Sequence, residues 1–173
     1  MTAGLTIREA EPDDFRTHLP KCAWEGGIAM PWTGGRDRRT SSVCWAEANG
    51  QKVGMLTGRA AEGEPVLSEI HPRTARSPVR DVEAMAAGTW LIQGLGVDPD
   101  WRDRGVDEFL LGEAGRRASV AGLVGLSTVI GDRAADLIGW FEHKGFTARG
   151  ECVAATCFSG PVNLVLLVRE TMH

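Results

Sequence analysis

Residues 95–111 read LGVDPDWRDRGVDEFLL. A run of small and apolar residues stops at Asp98-Pro99, and an amphipathic run starts after Gly105. The pattern predicts a strand, a short turn and a helix. A helix N-terminus offers unbonded N–H groups and a partial positive charge, so it suits an anion. Gly105 leaves room for one, and Arg102 and Arg104 add charge-assisted donors. Asp100, Asp103 and Asp107 crowd the same residues with negative charge. Locally, an anion cradle and an ordinary helix start both remain open.

Outward from this stretch, the strand is TWLIQGLGV (89–97), and the helix runs from about 105 to 121. Val106, Leu110, Ala114, Ala118 and Ala121 share one helical face. Gly94 and Gly96 inside the strand predict a bulge or a close approach by another backbone or a ligand. LVGLSTVI (123–130) reads as the next strand, giving a parallel βαβ unit. DRAADLIGWFEHK follows as a helix, with Asp132 as its cap and Ala134, Leu137, Ile138 and Phe141 on one face. Gly145 ends it, with His143 and Lys144 in the last turn.

Upstream, LTIREA (5–10) alternates as a first strand, and Pro12, Asp13 and Asp14 suit a helix start. Residues 21–40 carry two Gly-Gly pairs and no period, which predicts a loop or a broken helix. Two alternating runs around Asn49-Gly50 predict a hairpin. Residues 60–88 form an insert holding one short helix, with Ser77 as cap and Gly88 as stop. Downstream, TARGECVAATCF and VNLVLLVRE are strands that turn at Ser159-Gly160-Pro161. The order is β-α-loop-β-β-insert-β-α-β-α-β-β, an α/β class chain with one mixed sheet.

The 173 residues suit a single domain, 1–173. With 43% hydrophobic and 24% charged residues and a net charge of -4, the chain has no general electrostatic means of holding nucleic acid. No apolar run is long enough for a bilayer, and the N-terminus lacks the features of a signal peptide, so a cytoplasmic location is expected. Cys22, Cys44, Cys152 and Cys157 have neither CxxC nor zinc-ligand spacing; reduced structural thiols and no metal are expected.

LGVDPDWRDRGVDEFLL resembles the acyl-coenzyme A segment of the GNAT N-acetyltransferase superfamily. There a strand with a small apolar end leads through x-P-x-x to R/Q-x-x-G-x-G/A opening a helix. Arg102 stands on the R/Q position, Gly105 on the first glycine and Asp107 on the G/A position. AADLIGWFEHKGF is similar to the family's N-x-x-A-x-x-F-Y-E-x-x-G-F segment, with Glu142, Gly145 and Phe146 in place. The resemblance spans Leu5 to Glu170.

It implies a GNAT-like sheet whose fourth and fifth strands splay around acyl-CoA. Leu95, Gly96 and Val97 would bond the pantetheine arm. Arg102, Asp103, Arg104, Gly105, Val106 and Asp107 would hold the pyrophosphate, with Phe141 beside the cofactor. The implied activity is N-acylation of a small-molecule amine by acetyl-CoA or another acyl-CoA. A homodimer, paired through the last strands or the insert, is left open.

The chain departs from the family in Phe141, which stands at the tyrosine position of the thiolate acid, and it contains no tyrosine at all. Ala134 stands at the asparagine position, and Leu91 and Gln93 occupy a strand that often carries a basic glutamate. The catalytic residues are therefore unassigned. Gln93 orients a substrate or is a structural strand residue. Glu69 and His71 are base candidates or an exposed loop pair. Trp24, Trp32 and Trp90 line an acceptor pocket or cover the core. A non-catalytic acyl-CoA-binding or protein-interaction module stands as the alternative to an enzyme.

Overall fold

The computed structural model describes residues 4–11, 42–61, 82, 85–156 and 160–170. The expected helix after Pro12, the 21–40 loop and nearly all of the insert lie outside them. The strands are β1 (Leu5–Glu9), β2 (Ser42–Ala48), β3 (Gln51–Ala60), β4 (Thr89–Val97), β5 (Gly125–Gly131), β6 (Thr147–Thr156) and β7 (Gly160–Glu170). The helices among the described residues are α1 (Val106–Val120) and α2 (Ala135–His143). One seven-stranded sheet runs in the order β1-β2-β3-β4-β5-β7-β6. β4 and β5 are parallel, so the sheet is mixed, as the strand and helix order predicts. No described helix is long and apolar enough to cross a membrane.

The chain packs as two compact units, one of residues 1–59 and 92–117, the other of 60–91 and 118–173. In the first unit, β2 pairs antiparallel with both β1 and β3. The β2–β3 link is the two-residue turn Asn49-Gly50, with φ of 51° and 77°. Positive φ at both central residues defines the type I′ turn that matches strand twist. Cys44, Trp45 and Ala46 are buried in succession, as expected of a strand covered on both faces. Burial pushes the Cys44 thiol up to about 11, so it stays protonated near neutrality.

α1 carries Asp107 and Glu108 in its first turn and Arg117 in its last, each favourable to the helix dipole. Val106, Leu110, Ala114 and Ala118 are buried as their spacing predicts. Ala121 is exposed, because the helix stops at Val120 and Ala121 belongs to the turn that ends it. Leu111 joins the buried face, and so does Glu113, at 8% exposure.

Glu113 is held by Arg116 at 2.7 Å and Arg117 at 2.8 Å, and Arg117 also bonds Glu9 of β1. The Arg116 hydrogen bond, followed by those of Arg117, keeps the Glu113 carboxyl below its ordinary value. A lowered folded value stabilises the chain above the ordinary carboxylate pKa and is lost as pH falls through the folded value. Glu113→Gln should cost about 2 kcal/mol at neutral pH and flatten the acid limb of stability, as read by urea unfolding across pH 3–7.

Gly112 and Gly115 sit inside α1, and a Cβ at either meets nothing within 4 Å. Interior helical glycine costs about 0.5–1 kcal/mol relative to alanine. Gly112→Ala and Gly115→Ala should each raise stability by that amount in thermal unfolding.

In the second unit, β5 is buried from Gly125 to Ile130, and β7 from Val165 to Leu167. β7 lies antiparallel between β5 and β6. Gly160 and Pro161 were expected in the turn but pair with Thr156 and Ala155 as part of β7. Pro161 is tolerated because β5 reaches only Leu164, so no second neighbour needs its missing N–H. The start of the parallel pair is pinned by Val124 N donating to Gly88 O at 2.9 Å. Thr89 Oγ1 donates to Ala86 O and receives the Ser127 hydroxyl, both at 2.6 Å.

Asp132 does not cap α2. Its N–H extends the β5–β7 ladder to Asn163 O at 2.8 Å, which holds it too early in the chain, and Ala134 is the cap residue without a side-chain bond. The far end of α2 is as expected: Gly145 takes φ 84°. Phe146 N donates to Phe141 O at 3.1 Å and Gly145 N to Glu142 O at 2.9 Å, the paired bonds of a Schellman cap. Phe141 and Phe146 close that cap with an edge-to-face contact of 4.9 Å between centroids. Arg169 Nη1 donates to Lys144 O at 3.0 Å and its guanidinium lies over Phe146. Burial lowers the Arg169 pKa from its ordinary value.

Candidate functional site

The loop after β4 is built by local rules. Asp98 N donates to Val53 O at 2.9 Å, the last tie of this segment to β3. The Asp98 side chain then accepts from Asp100 N at 2.9 Å, and Pro99 opens a single 3₁₀ turn over Pro99–Trp101. Trp101 N and Arg102 N close it on Asp98 O and Pro99 O, at 2.8 and 3.3 Å. Asp98, a fourth aspartate beside Asp100, Asp103 and Asp107, is thereby a capping residue.

Arg102 is extended, with φ -60° and ψ 152°. Asp103 then takes φ 61° and Gly105 φ 75°, with no positive φ at Arg104 between them. Aspartate is one of the few side chains that tolerates the left-handed region, so Asp103 keeps a backbone that glycine would supply more freely. Alternating signs of φ turn successive N–H groups into one concavity, the form of a backbone anion nest. The helical ladder begins with Phe109 N to Gly105 O at 3.0 Å, which leaves the N–H groups from Asp103 to Val106 ahead of it.

The side chains divide around this nest. Arg102, Asp103 and Arg104 are exposed, Gly105 and Asp107 half-buried, and Val106 fully buried. Val106 thus offers only its N–H and spends its side chain on the core. Asp107 is a first-turn acid of α1. Arg104 lies over the Trp101 ring, 5.0 Å from its centroid. Neither arginine forms an ion pair with Asp98, Asp100, Asp103 or Asp107.

The first turn of α1 is set down by a glycine that sequence patterning passed over. A Cβ on Gly54 of β3 would lie 2.8 Å from Val106 Cγ1, 3.0 Å from Leu110 Cδ1 and 3.1 Å from Gly96 O. Only glycine lets the helix start approach β3 so closely. The signal was present in KVGML, an interior strand glycine of the kind noted for Gly94 and Gly96. Gly94 is itself such a contact, its Cβ position 2.9 Å from Thr57 Oγ1.

Of the other candidates, Leu95 and Gly96 are buried, and Val97 and Gln93 are half-buried on β4. Trp90 is 4% exposed and Phe141 wholly buried, each within the second unit. Trp24, Trp32, Glu69 and His71 lie outside the described residues. No group of His, Cys, Asp and Glu among the described residues could hold a metal ion.

No family model and no curated protein matches the chain by sequence. Solved structures match it over nearly its whole length. A candidate phosphinothricin N-acetyltransferase is 22% identical with a TM-score of 0.63, covering 98% of this chain and 100% of its own. The ribosomal-protein-S18-alanine N-acetyltransferase of Escherichia coli is 15% identical at a TM-score of 0.63, covering 98% and 96%. A GNAT family acetyltransferase of Elizabethkingia anophelis with acetyl-CoA bound is 13% identical at 0.63, covering 96% and 98%. Strand order, the parallel pair and these matches agree: the fold of this chain is that of the GNAT acetyltransferases.

Proposed function

We propose that the chain binds acetyl-CoA, or another short acyl-CoA, at the Arg102–Asp107 loop and transfers the acyl group to a small-molecule amine. The observation that carries this is the run of four N–H groups, Asp103 to Val106, on a backbone of alternating φ at a helix start. Such a run suits a diphosphate, which supplies several anionic acceptors to successive amides. Arg102 and Arg104, both exposed, add positive charge beside it. The acetyl-CoA seen in the Elizabethkingia protein of the same fold supports the same ligand here.

When bound, acyl-CoA supplies an activated acyl group: a C–N bond forms to the amine as the C–S bond breaks. The chain's part is to hold the ligand and the amine together, which alone supplies much of a bimolecular rate. Phe141 has no proton to give the leaving thiolate, and no tyrosine exists to replace it. Proton transfer then falls to solvent or to a residue other than tyrosine. For the acceptor, one neighbour is named for phosphinothricin and another for an alanine of ribosomal protein S18. The small amine is favoured by the higher identity of the first.

A second reading has its own observation. Phe141 is fully accounted for by its clasp with Phe146 in the α2 cap, without chemistry. A module that binds acyl-CoA without turning it over would look the same. Two measurements separate the readings. Calorimetry should show acetyl-CoA binding, weakened about tenfold in Arg102→Ala by loss of one charge-assisted contact. Thiol release from acetyl-CoA should then depend on an added amine; saturable binding with no release across an amine panel would leave only the binding module.

A further inference from the structure

Arg104 occupies an unusual place in the nest. Its N–H belongs to the run ahead of the helical ladder, yet its side chain is folded back onto the Trp101 ring, 5.0 Å from the centroid. The carboxylates nearby do not hold it there. Asp98 is engaged with Asp100 N, and no ion pair joins Arg104 to any aspartate of the loop. Trp101 is half-buried, and its backbone N–H donates to Asp98 O. A planar cation is therefore seated on a half-buried ring beside the proposed diphosphate nest, and Arg104 remains exposed. Guanidinium planes stack on aromatic faces from either side, and a pre-seated one loses little freedom on doing so.

We propose that Arg104, seated on Trp101, reads the nucleoside end of the bound diphosphate by stacking its outer face on the purine. This rests on the acyl-CoA reading above and deepens it. The chain then distinguishes a nucleotide-linked thioester from the same pantetheine arm ending in a simple phosphate. Arg102, with no ring beneath it among the described residues, serves phosphate charge without regard to the base.

The test is calorimetry of CoA, 3′-dephospho-CoA and 4′-phosphopantetheine against the full chain and three variants. Arg104→Ala should weaken CoA and dephospho-CoA about fivefold and change phosphopantetheine less than about twofold. Trp101→Leu should follow Arg104→Ala, and Arg104→Lys, which keeps charge without the plane, should recover little. Circular dichroism and thermal unfolding confirm that each variant is folded. Equal weakening of all three ligands by Arg104→Ala would overturn the proposal in favour of a diphosphate contact. Loss confined to CoA would overturn it in favour of the 3′-phosphate, and wild-type affinity in Arg104→Lys would overturn stacking. Failure of the unaltered chain to bind any of the three is a different result, and it removes the acyl-CoA reading itself.

Discussion

Gly54→Val should unseat the start of α1 and lower acetyl-CoA affinity by about tenfold or more, although Gly54 lies on β3 and carries no ligand group. A Cβ there meets Val106 Cγ1 at 2.8 Å, Leu110 Cδ1 at 3.0 Å and the Gly96 carbonyl at 3.1 Å. The two side chains can shift by rotamer, but the carbonyl is backbone and can move only with β4. Overpacking of this kind costs about 1–3 kcal/mol. Part of it is relieved by lifting the first helical turn, which carries the N–H groups of the nest. Affinity therefore falls together with stability, and about 1.4 kcal/mol of lost binding is tenfold. Calorimetry at a temperature where circular dichroism shows the variant folded separates the two effects. Gly112→Ala, on the open side of the same helix, is the matched control: it raises stability and leaves affinity unchanged. Unaltered acetyl-CoA affinity in folded Gly54→Val would detach the helix start from the ligand.

Phe141→Ala should be the most destabilising of the substitutions considered, by about 3–5 kcal/mol. The ring is wholly buried, with edge-to-face partners in Trp140 and Phe146, both at 4.9 Å. Its loss opens a cavity and removes the apolar half of the cap that ends α2 at Gly145. Against the roughly 5–15 kcal/mol that holds a domain folded, that is a large fraction. Urea unfolding gives the number. Phe141→Tyr keeps the ring and buries a hydroxyl, which costs about 1–3 kcal/mol if it finds no partner. A faster release of thiol in Phe141→Tyr would show instead that this ring edge meets the reacting atoms.

These two positions show how differently sequence exposes structure. The spacing of Phe141, Gly145 and Phe146 is legible because a Schellman cap is local: its bonds, its positive φ and its apolar clasp fall within six residues. The loop from Asp98 to Gly105 is legible for the same reason, since aspartate, proline and glycine each fix a nearby torsion or N–H. Gly54 is illegible by position alone, because what it admits lies about fifty residues further along. The same holds for Glu113, whose partner Arg117 reaches across to Glu9. Asp132 was misplaced as a cap because its N–H answers to Asn163 on another strand. Local rules named the helix, and the sheet decided where it begins.

The central claim is that the amides of Asp103 to Val106 hold the diphosphate of an acyl-CoA. Amide proton shifts measured by two-dimensional nitrogen–proton NMR during titration with CoA test it most directly. The expected result is a saturable downfield movement of the Asp103, Arg104, Gly105 and Val106 amides, larger than that of the Arg116 and Arg117 amides, about 15 Å further along α1. Saturable CoA binding that leaves those four amides unmoved would contradict the account.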